Sequence, residues 1–377
     1  MNKRRTARIL TVACGLLFSI FSITYLSVFQ KEVVEALHYS LAQGKTVYAP
    51  WISAVLLTVI LLVLRWGING LVRLQGLLGA VSYFPSCLLL GVLTDVGHGV
   101  YHGEGIPSHW AWLLPLLLML YVVLGWLLGR ASRVWTDSAM EGGTVLNSNL
   151  LTLFILCLMT VCIGNSNVHF HHELQVEEAL RRQDYETALK VGKKSMDPSR
   201  NLTALRAYAM SREGTMGENL FHYPQLYGAA GLLMGISDDK ALRLNADSLY
   251  VYLGARPVLG ESAMTFFQRI CQEETGNYTT MDYYLSALLL ERKLDGFVQA
   301  FDELYTERDS VPKYYRQALF LYHKMYPSEG EDIADEAMEE QWKSYQELKD
   351  ELAGTVGEGN RMRRKFGDTY WWYYQYK

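Results

Sequence analysis

Five apolar runs, each near the length a helix needs to cross a lipid bilayer, constrain this chain before any other feature does. They cover residues 9–29, 48–64, 74–94, 110–128 and 146–164. About 17–25 predominantly apolar residues with few charges read as a membrane-spanning helix. The first run follows Lys3, Arg4, Arg5 and Arg8, and the second stops at Arg65. The third contains Pro85 and is diluted by Gly, Ser and Tyr; the fourth contains Pro115. Proline is tolerable in a spanning helix when neighbouring helices satisfy the carbonyl it frees. The first run also invites a signal-peptide reading. Its length exceeds a usual h-region of roughly 7–15 residues, and no small-x-small site precedes Gln30. Cys14 follows Thr11-Val12-Ala13, a poor lipoprotein box.

Charge divides the chain at the end of the fifth run. Residues 1–166 carry 10 Lys and Arg against 6 Asp and Glu, whereas residues 167–377 carry 25 against 33. The acidic second half argues against a nucleic-acid partner, because phosphate backbones are met by clustered Lys and Arg. With the N-terminus in the cytoplasm, Lys3, Arg4, Arg5, Arg8, Arg65, Arg73, Arg130 and Arg133 lie inside. The opposite short loops hold Lys31 and Lys45. This bias fits the positive-inside rule. An odd number of spans then puts residues 167–377 outside, in the periplasm of a Gram-negative cell. Cys14, Cys87, Cys157 and Cys162 lie in apolar runs and Cys271 is alone in the second half, so that half needs no disulfide.

From residue 168 onward, helical patterns alternate with short breakers. Helices are expected at 173–182, 186–195, 202–212, 245–253, 261–274, 280–292, 295–305, 313–326 and 332–352, with a short C-terminal segment. Strand signals are scarce, so the expected fold class is all-α: about five transmembrane helices followed by a tetratricopeptide-like helical-repeat domain. Asp184-Tyr185 with Ala188-Leu189 resembles the inter-helix turn of that repeat, and Ser195 and Pro198 continue it. His172 stands where the first helix usually carries a large aromatic. Residues 289–295, with Val298 and Ala300, look like a second, more degenerate turn. An irregular helical bundle is the plain alternative.

Six of nine histidines fall near the outer membrane face: His98, His102 and His109 before the fourth run, and His169, His171 and His172 after the fifth. If the third helix continues past Thr94, then Asp95, His98 and His102 share one face at i, i+3 and i+7. One carboxylate and two imidazoles suit a divalent metal. Gly97, Gly99, Gly103 and Gly105 oppose that helix, and a hydrated interfacial loop is the plainer reading. At the C-terminus, Tyr370, Trp371, Trp372, Tyr373 and Tyr374 form an aromatic run with three readings. It seals the end of the helical domain, anchors at the membrane interface, or stacks on a glycan. Asn147 and Asn149 open the fifth run as helix caps or interhelical bonds. The acidic stretch 329–340 reads as a solvated helix face. No nucleophile elbow, zincin motif, phosphate loop or dinucleotide glycine pattern is present.

Two segments carry a family resemblance. Glu218-Asn219-Leu220-Phe221-His222-Tyr223-Pro224-Gln225-Leu226-Tyr227-Gly228 resembles a motif of an uncharacterised family of multispanning membrane proteins from Gram-negative gut anaerobes. Phe366-Gly367-Asp368-Thr369, followed by the aromatic run, resembles that family's terminus. The resemblance implies a membrane anchor, a tetratricopeptide-like outer domain and no assigned activity, and it carries over no catalytic residue.

The expected function is a scaffold or accessory protein of the cell envelope. It sits in the inner membrane as a multi-pass protein among membrane lipids, and its periplasmic helical domain binds a protein or peptide partner. The alternative is an enzyme or accessory factor of envelope glycan or lipid assembly that uses the outer-face His/Asp/Glu cluster. A transporter is disfavoured because polar residues within the spans are few.

Overall fold

A computed structural model describes residues 3–135, 142–234, 242–244, 246–273, 276, 279–305, 310–327 and 336–377. Residues 329–335 of the acidic stretch lie outside them. Every regular element among the described residues is helical. The chain divides into two compact units, Met1–Leu174 and Gln175–Lys377.

In the first unit, α1 (Lys3–Thr24) runs into a π-helical turn, Tyr25–Phe29, and α2 (Lys31–Ala42) follows. After α3 (Pro50–Val72), a 3-10 helix, Gly76–Tyr83, feeds directly into α4 (Phe84–Thr94). The single span expected over 74–94 is therefore of two kinds. Pro85 stands at the start of α4. It has no N–H and its ring excludes the carbonyl four residues back, so the α-helix cannot extend further towards its N-terminus. A short 3-10 turn, His98–His102, then leads to α5 (Trp110–Trp135), α6 (Gly142–Ile163) and α7 (Val168–Arg181). The boundary between the units falls within α7.

Five stretches are long and apolar enough to cross a membrane: Ile9–Phe29, Pro50–Val72, Gly76–Thr94, Trp110–Leu128 and Gly143–Ile163. This is compatible with a multi-pass membrane protein. The third is the centre of the unit: 56% of it is buried, against 11–28% for the others. Its small and polar residues explain why. Gly91 faces Ile163 so closely that a Cβ there would lie 2.9 Å from the Ile163 Cβ. Ser86 Oγ donates to the Leu61 carbonyl at 2.7 Å, and Thr160 Oγ1 donates to the Cys87 carbonyl at 3.0 Å. Asn149, fully buried, accepts from Ala80 N at 2.5 Å and donates to the carbonyls of Gly76 and Val145. Asn149 is thus an interhelical bond, not a helix cap, and it satisfies backbone groups of the 3-10 segment. On α3, by contrast, Ile52, Leu56 and Ile60 point outward.

The second unit continues from α7 with α8 (Tyr185–Lys190), α9 (Arg200–Glu213) and α10 (Met216–Asn219), which tightens into a 3-10 turn, Leu220–His222. A second 3-10 turn, Gly228–Leu232, precedes α11 (Ala246–Leu253), α12 (Ala263–Gln272), α13 (Thr279–Leu290) and α14 (Leu294–Leu304). The chain closes with α15 (Lys313–Met325), α16 (Glu336–Leu352), α17 (Glu358–Phe366) and α18 (Tyr370–Tyr376). Helix starts carry the side chains that orphan N–H groups need. Asp184 accepts from Thr187 N, Ser199 from Leu202 N, Ser262 from Thr265 N and Thr369 from Trp372 N. The helix expected over 186–195 stops at Lys190, just before Gly192 turns left-handed at φ 59°.

α9 and α13 are buried on nearly all sides and form the middle of this unit. Two of its turns are built alike. Gln183 and Arg292 both adopt left-handed φ, 59° and 55°. Asp184 N then donates to Ala179 O and Lys293 N to Leu288 O, each at 2.9 Å. This is the same six-to-one closure at the end of α7 and of α13, and each opens directly into the next helix.

Candidate functional site

At one end of the first unit's spans, a polar knot ties the helices. Tyr25 Oη meets Thr94 Oγ1 at 3.0 Å. Gly164 passes so close that a Cβ would lie 2.1 Å from that hydroxyl, so no larger residue fits without movement. Asn165 N donates to the Thr94 carbonyl at 2.9 Å, and its Nδ2 donates to the Val96 carbonyl at 2.6 Å. Its own carbonyl accepts from Gln30 Nε2 at 2.8 Å. His171 touches the same carbonyl through Nε2 at 3.2 Å, and its Nδ1 faces Glu32 Oε2 at 3.8 Å. Pairing with Glu32 raises the His171 pKa above the ordinary imidazole value, against the opposing effect of burial. Burial, the largest single influence, would raise the Glu32 carboxyl, but His171, a backbone hydrogen bond and the charge of Lys31 together hold it below its usual range.

The three residues expected to share a helical face do not do so. α4 ends at Thr94; Asp95 leaves helical geometry at φ −80° and ψ 63°, and Gly97 is extended. Asp95 accepts from Trp110 Nε1 at 2.6 Å and lies 3.9 Å from His109. His98 packs on Phe170, ring centroids 4.8 Å apart, and its Nε2 lies 3.4 Å from Glu173 Oε2. Tyr101 donates to that oxygen at 3.2 Å. His102 closes the 3-10 turn and joins neither group. Among the described residues no three or more His, Cys, Asp and Glu side chains gather where a metal ion would sit. The Asp95, His98 and His102 triad is corrected accordingly: the pairs that form are His98 with Glu173 and Asp95 with Trp110 and His109.

The aromatic terminus is corrected in a similar way. Tyr370, Trp371, Trp372 and Tyr373 are buried, and Tyr374 is half-buried. Stacking on a glycan or resting at a membrane interface needs exposed rings, so these rings serve the sealing role instead. Tyr373 Oη donates to the Leu290 carbonyl at 2.9 Å and Tyr370 Oη to that of Leu289 at 3.4 Å. Both are carbonyls of the last turn of α13, which lack intrahelical partners. Trp371 packs among Phe320, Trp342 and Tyr345.

The segment that precedes α11 meets this terminus. Phe221 packs edge-on against Tyr370 and at a tilt against Tyr373, centroids 5.4 and 4.8 Å away. Tyr223 Oη donates to the Leu189 carbonyl at 2.8 Å, and its ring lies under the Arg206 guanidinium at 4.7 Å. Gln225, buried, donates to the Leu220 carbonyl at 2.7 Å. Gly228 turns left-handed at φ 56°, and a Cβ there would strike Glu291 Oε1 at 2.6 Å. That carboxylate accepts from Ala229 N at 2.9 Å. Each polar contact lets a non-helical stretch run through the core with its backbone satisfied.

The chain belongs to a family of unknown function (DUF6057). The family matches residues 98–257 and 256–377, so it takes in His98, the 218–228 segment and the whole terminus. No curated protein and no solved structure matches the chain. Several residues that build these sites carried no local signal. Glu32 and Glu173 pair with histidines brought to them by the fold, and Arg206 looks like any surface arginine in α9 yet is 1% exposed.

Proposed function

We propose that this protein is a membrane-anchored scaffold or accessory factor of the cell envelope, which holds a protein or peptide partner through its helical unit on the periplasmic side. The observation that supports this most is the repeated turn, Gln183-Asp184 and Arg292-Lys293, which closes α7 and α13 in the same way and which we read as a tetratricopeptide-like inter-helix turn. Stacked helix pairs with such turns present continuous surfaces suited to chains. The polar knot of the first unit supports the same reading, because Tyr25, Thr94, Asn165 and Gln30 are engaged in holding helix ends together. The excess of Lys and Arg on the inner loops supports the periplasmic placement.

Crosslinking in intact cells, followed by purification of the tagged full-length chain, tests this. Envelope proteins attached through residues 175–377 are the expected result. Cytoplasmic proteins in their place overturn the placement, and no protein attached through that unit overturns the scaffold reading.

A second reading rests on one arrangement. His98 has a half-exposed ring whose Nε2 faces a carboxylate, Glu173, that is 3% exposed. A carboxylate-backed imidazole open to solvent is the form a general base takes. Under this reading the protein acts on an envelope glycan or lipid. An unchanged cellular phenotype for normally expressed His98→Ala rules it out.

A further inference from the structure

The two segments that carry the family's pattern, 218–228 and the terminus, meet on a groove of about 460 Å³ on the second unit. Volumes of roughly 300–1,000 Å³ hold small molecules. Its lining is unusually cationic for an acidic unit: Lys193 after α8, Arg363 and Arg364 on α17, and Lys377 beyond α18. No ion pair or side-chain hydrogen bond engages these four among the described residues; Arg363 rests on the Trp372 ring, 5.4 Å from its centroid. The lining's acid is already paired with a cation, and two other acids nearby lie outside the lining. Asp368, the lining's acidic side chain, is bound by Lys313 at 3.3 Å. Glu218 accepts from Lys313 N at 2.9 Å, and Glu358 accepts from Tyr376 Oη at 2.7 Å. Four cationic side chains against one lining carboxylate, itself held by Lys313, leave an excess of positive charge.

The groove's own residues register that excess. Burial first, and then the charges of Lys313 and Lys193 against the opposing ones of Asp368 and Glu218, hold the His222 imidazole below its usual pKa. Burial and the neighbouring Arg363 likewise lower the Lys377 amine. Behind the wall, Arg206 lies over Tyr223, which lines the groove. It gives one bond, from Nη2 to the Val191 carbonyl at 2.7 Å, while Nε and Nη1 have no partner among the described residues. Uncompensated cations crowded around one cavity are electrostatically unfavourable, and an anion relieves that cost. Two adjacent arginines match the planar fork geometry of phosphate oxygens, and four cations suit a group with two or more negative charges better than a single carboxylate.

We propose that this groove binds the phosphate group of a small ligand, with Arg363, Arg364, Lys193 and Lys377 as its charge partners and His222, Phe221 and Trp372 beside the uncharged part. The phosphate belongs either to a lipid headgroup or to a soluble phosphate ester, both of which present the same oxygens. This inference does not rest on the scaffold reading.

Calorimetric titration of the full-length protein in zwitterionic nanodiscs tests it, with pyrophosphate and a short-chain phosphatidic acid as separate probes. Binding of at least one probe, weakened by added salt and reduced at least ten-fold in Arg363→Gln/Arg364→Gln, is the expected result. Pyrophosphate binding points to a soluble ester, and binding of the phosphatidic acid alone points to a headgroup. A Lys193→Gln variant, on a loop outside any helix, guards against a fold defect in the double variant and is expected to weaken the same probe. No binding of either probe overturns the proposal. So does binding that the variants leave unchanged, or a site that takes an acidic peptide and neither phosphate.

Discussion

The two units differ in the side chains that dominate their interiors, although Phe18 and Tyr83 are buried in the first and Ser286 and Thr280 in the second. The first hides small and polar residues, Ser22, Thr58, Ser82, Ser86, Thr94, Asn149 and Thr160, and turns Ile52, Leu56, Ile60, Leu120 and Phe154 outward. The second hides large rings, Phe266, Phe267, Tyr283, Tyr314, Tyr315, Tyr345, Tyr370 and Trp371, and leaves most of its charges at the surface, with Arg206 and Glu177 as buried exceptions. The difference is compatible with lipid around the first unit and water around the second. Between helices in lipid there is no hydrophobic gain, so contact comes from close approach and hydrogen bonds. In water, burying aromatic area is the main driving force, and each ring removes about 150–250 Å².

Substitutions break this comparison in order of size. Trp371→Ala removes a fully buried ring from the second unit and is expected to cost about 3–5 kcal/mol. Hydrogen exchange is expected to rise across α13, α15 and α16 while the first unit's spans keep their protection; loss confined to α18 would contradict the sealing role. In the first unit, Asn149→Leu makes the core more apolar but strands Ala80 N and the Gly76 carbonyl. The expected cost is about 1–3 kcal/mol, read as an earlier midpoint in a mixed-micelle unfolding titration. A stabilised Asn149→Leu protein would mean that burial of apolar area governs both units alike. Gly164→Val forces Tyr25 and Thr94 apart and is expected to cost about 1–3 kcal/mol by overpacking, with Gly70→Val, which faces open space, as the control.

The smallest expected effect is a pH dependence. His171 has a raised pKa, so its contribution is fully present below the ordinary imidazole value of 6.5 and is lost as pH rises through the raised one. Glu32 has a lowered pKa, so its contribution is present above 4.5 and is lost as pH falls through the lowered one. Stability from this pair, about 1 kcal/mol or less, is greatest between those values. His171→Ala is expected to flatten the alkaline limb in melts across pH 5–9, and an unchanged limb would assign it to other groups.

The spans were legible because long apolar runs admit few other structures. The dilution of the third run by Gly91, Ser82 and Ser86 was legible as composition, though it marks the most central helix rather than the weakest. The metal triad failed because its spacing argument needed α4 to continue, and Asp95 and Gly97 end it. The choice between cap and interhelical bond at Asn149 was not readable, because its partners, Gly76 and Ala80, lie on another element. Sealing by the aromatic terminus was readable as one of three roles, and burial decided among them. The groove was not readable at all, since Lys193 and Arg363 are ordinary surface cations until the fold brings them together.

The claim that the two units are built for different solvents is tested most directly by cysteine labelling. In a background with all five native cysteines replaced, Leu56→Cys and Val356→Cys place thiols at positions 61% and 97% exposed on the protein itself. A water-soluble maleimide applied to the protein in nanodiscs is expected to label Val356→Cys rapidly and to leave Leu56→Cys unlabelled until detergent is added. Comparable labelling of both before detergent would contradict the account, because it would show water where lipid is required.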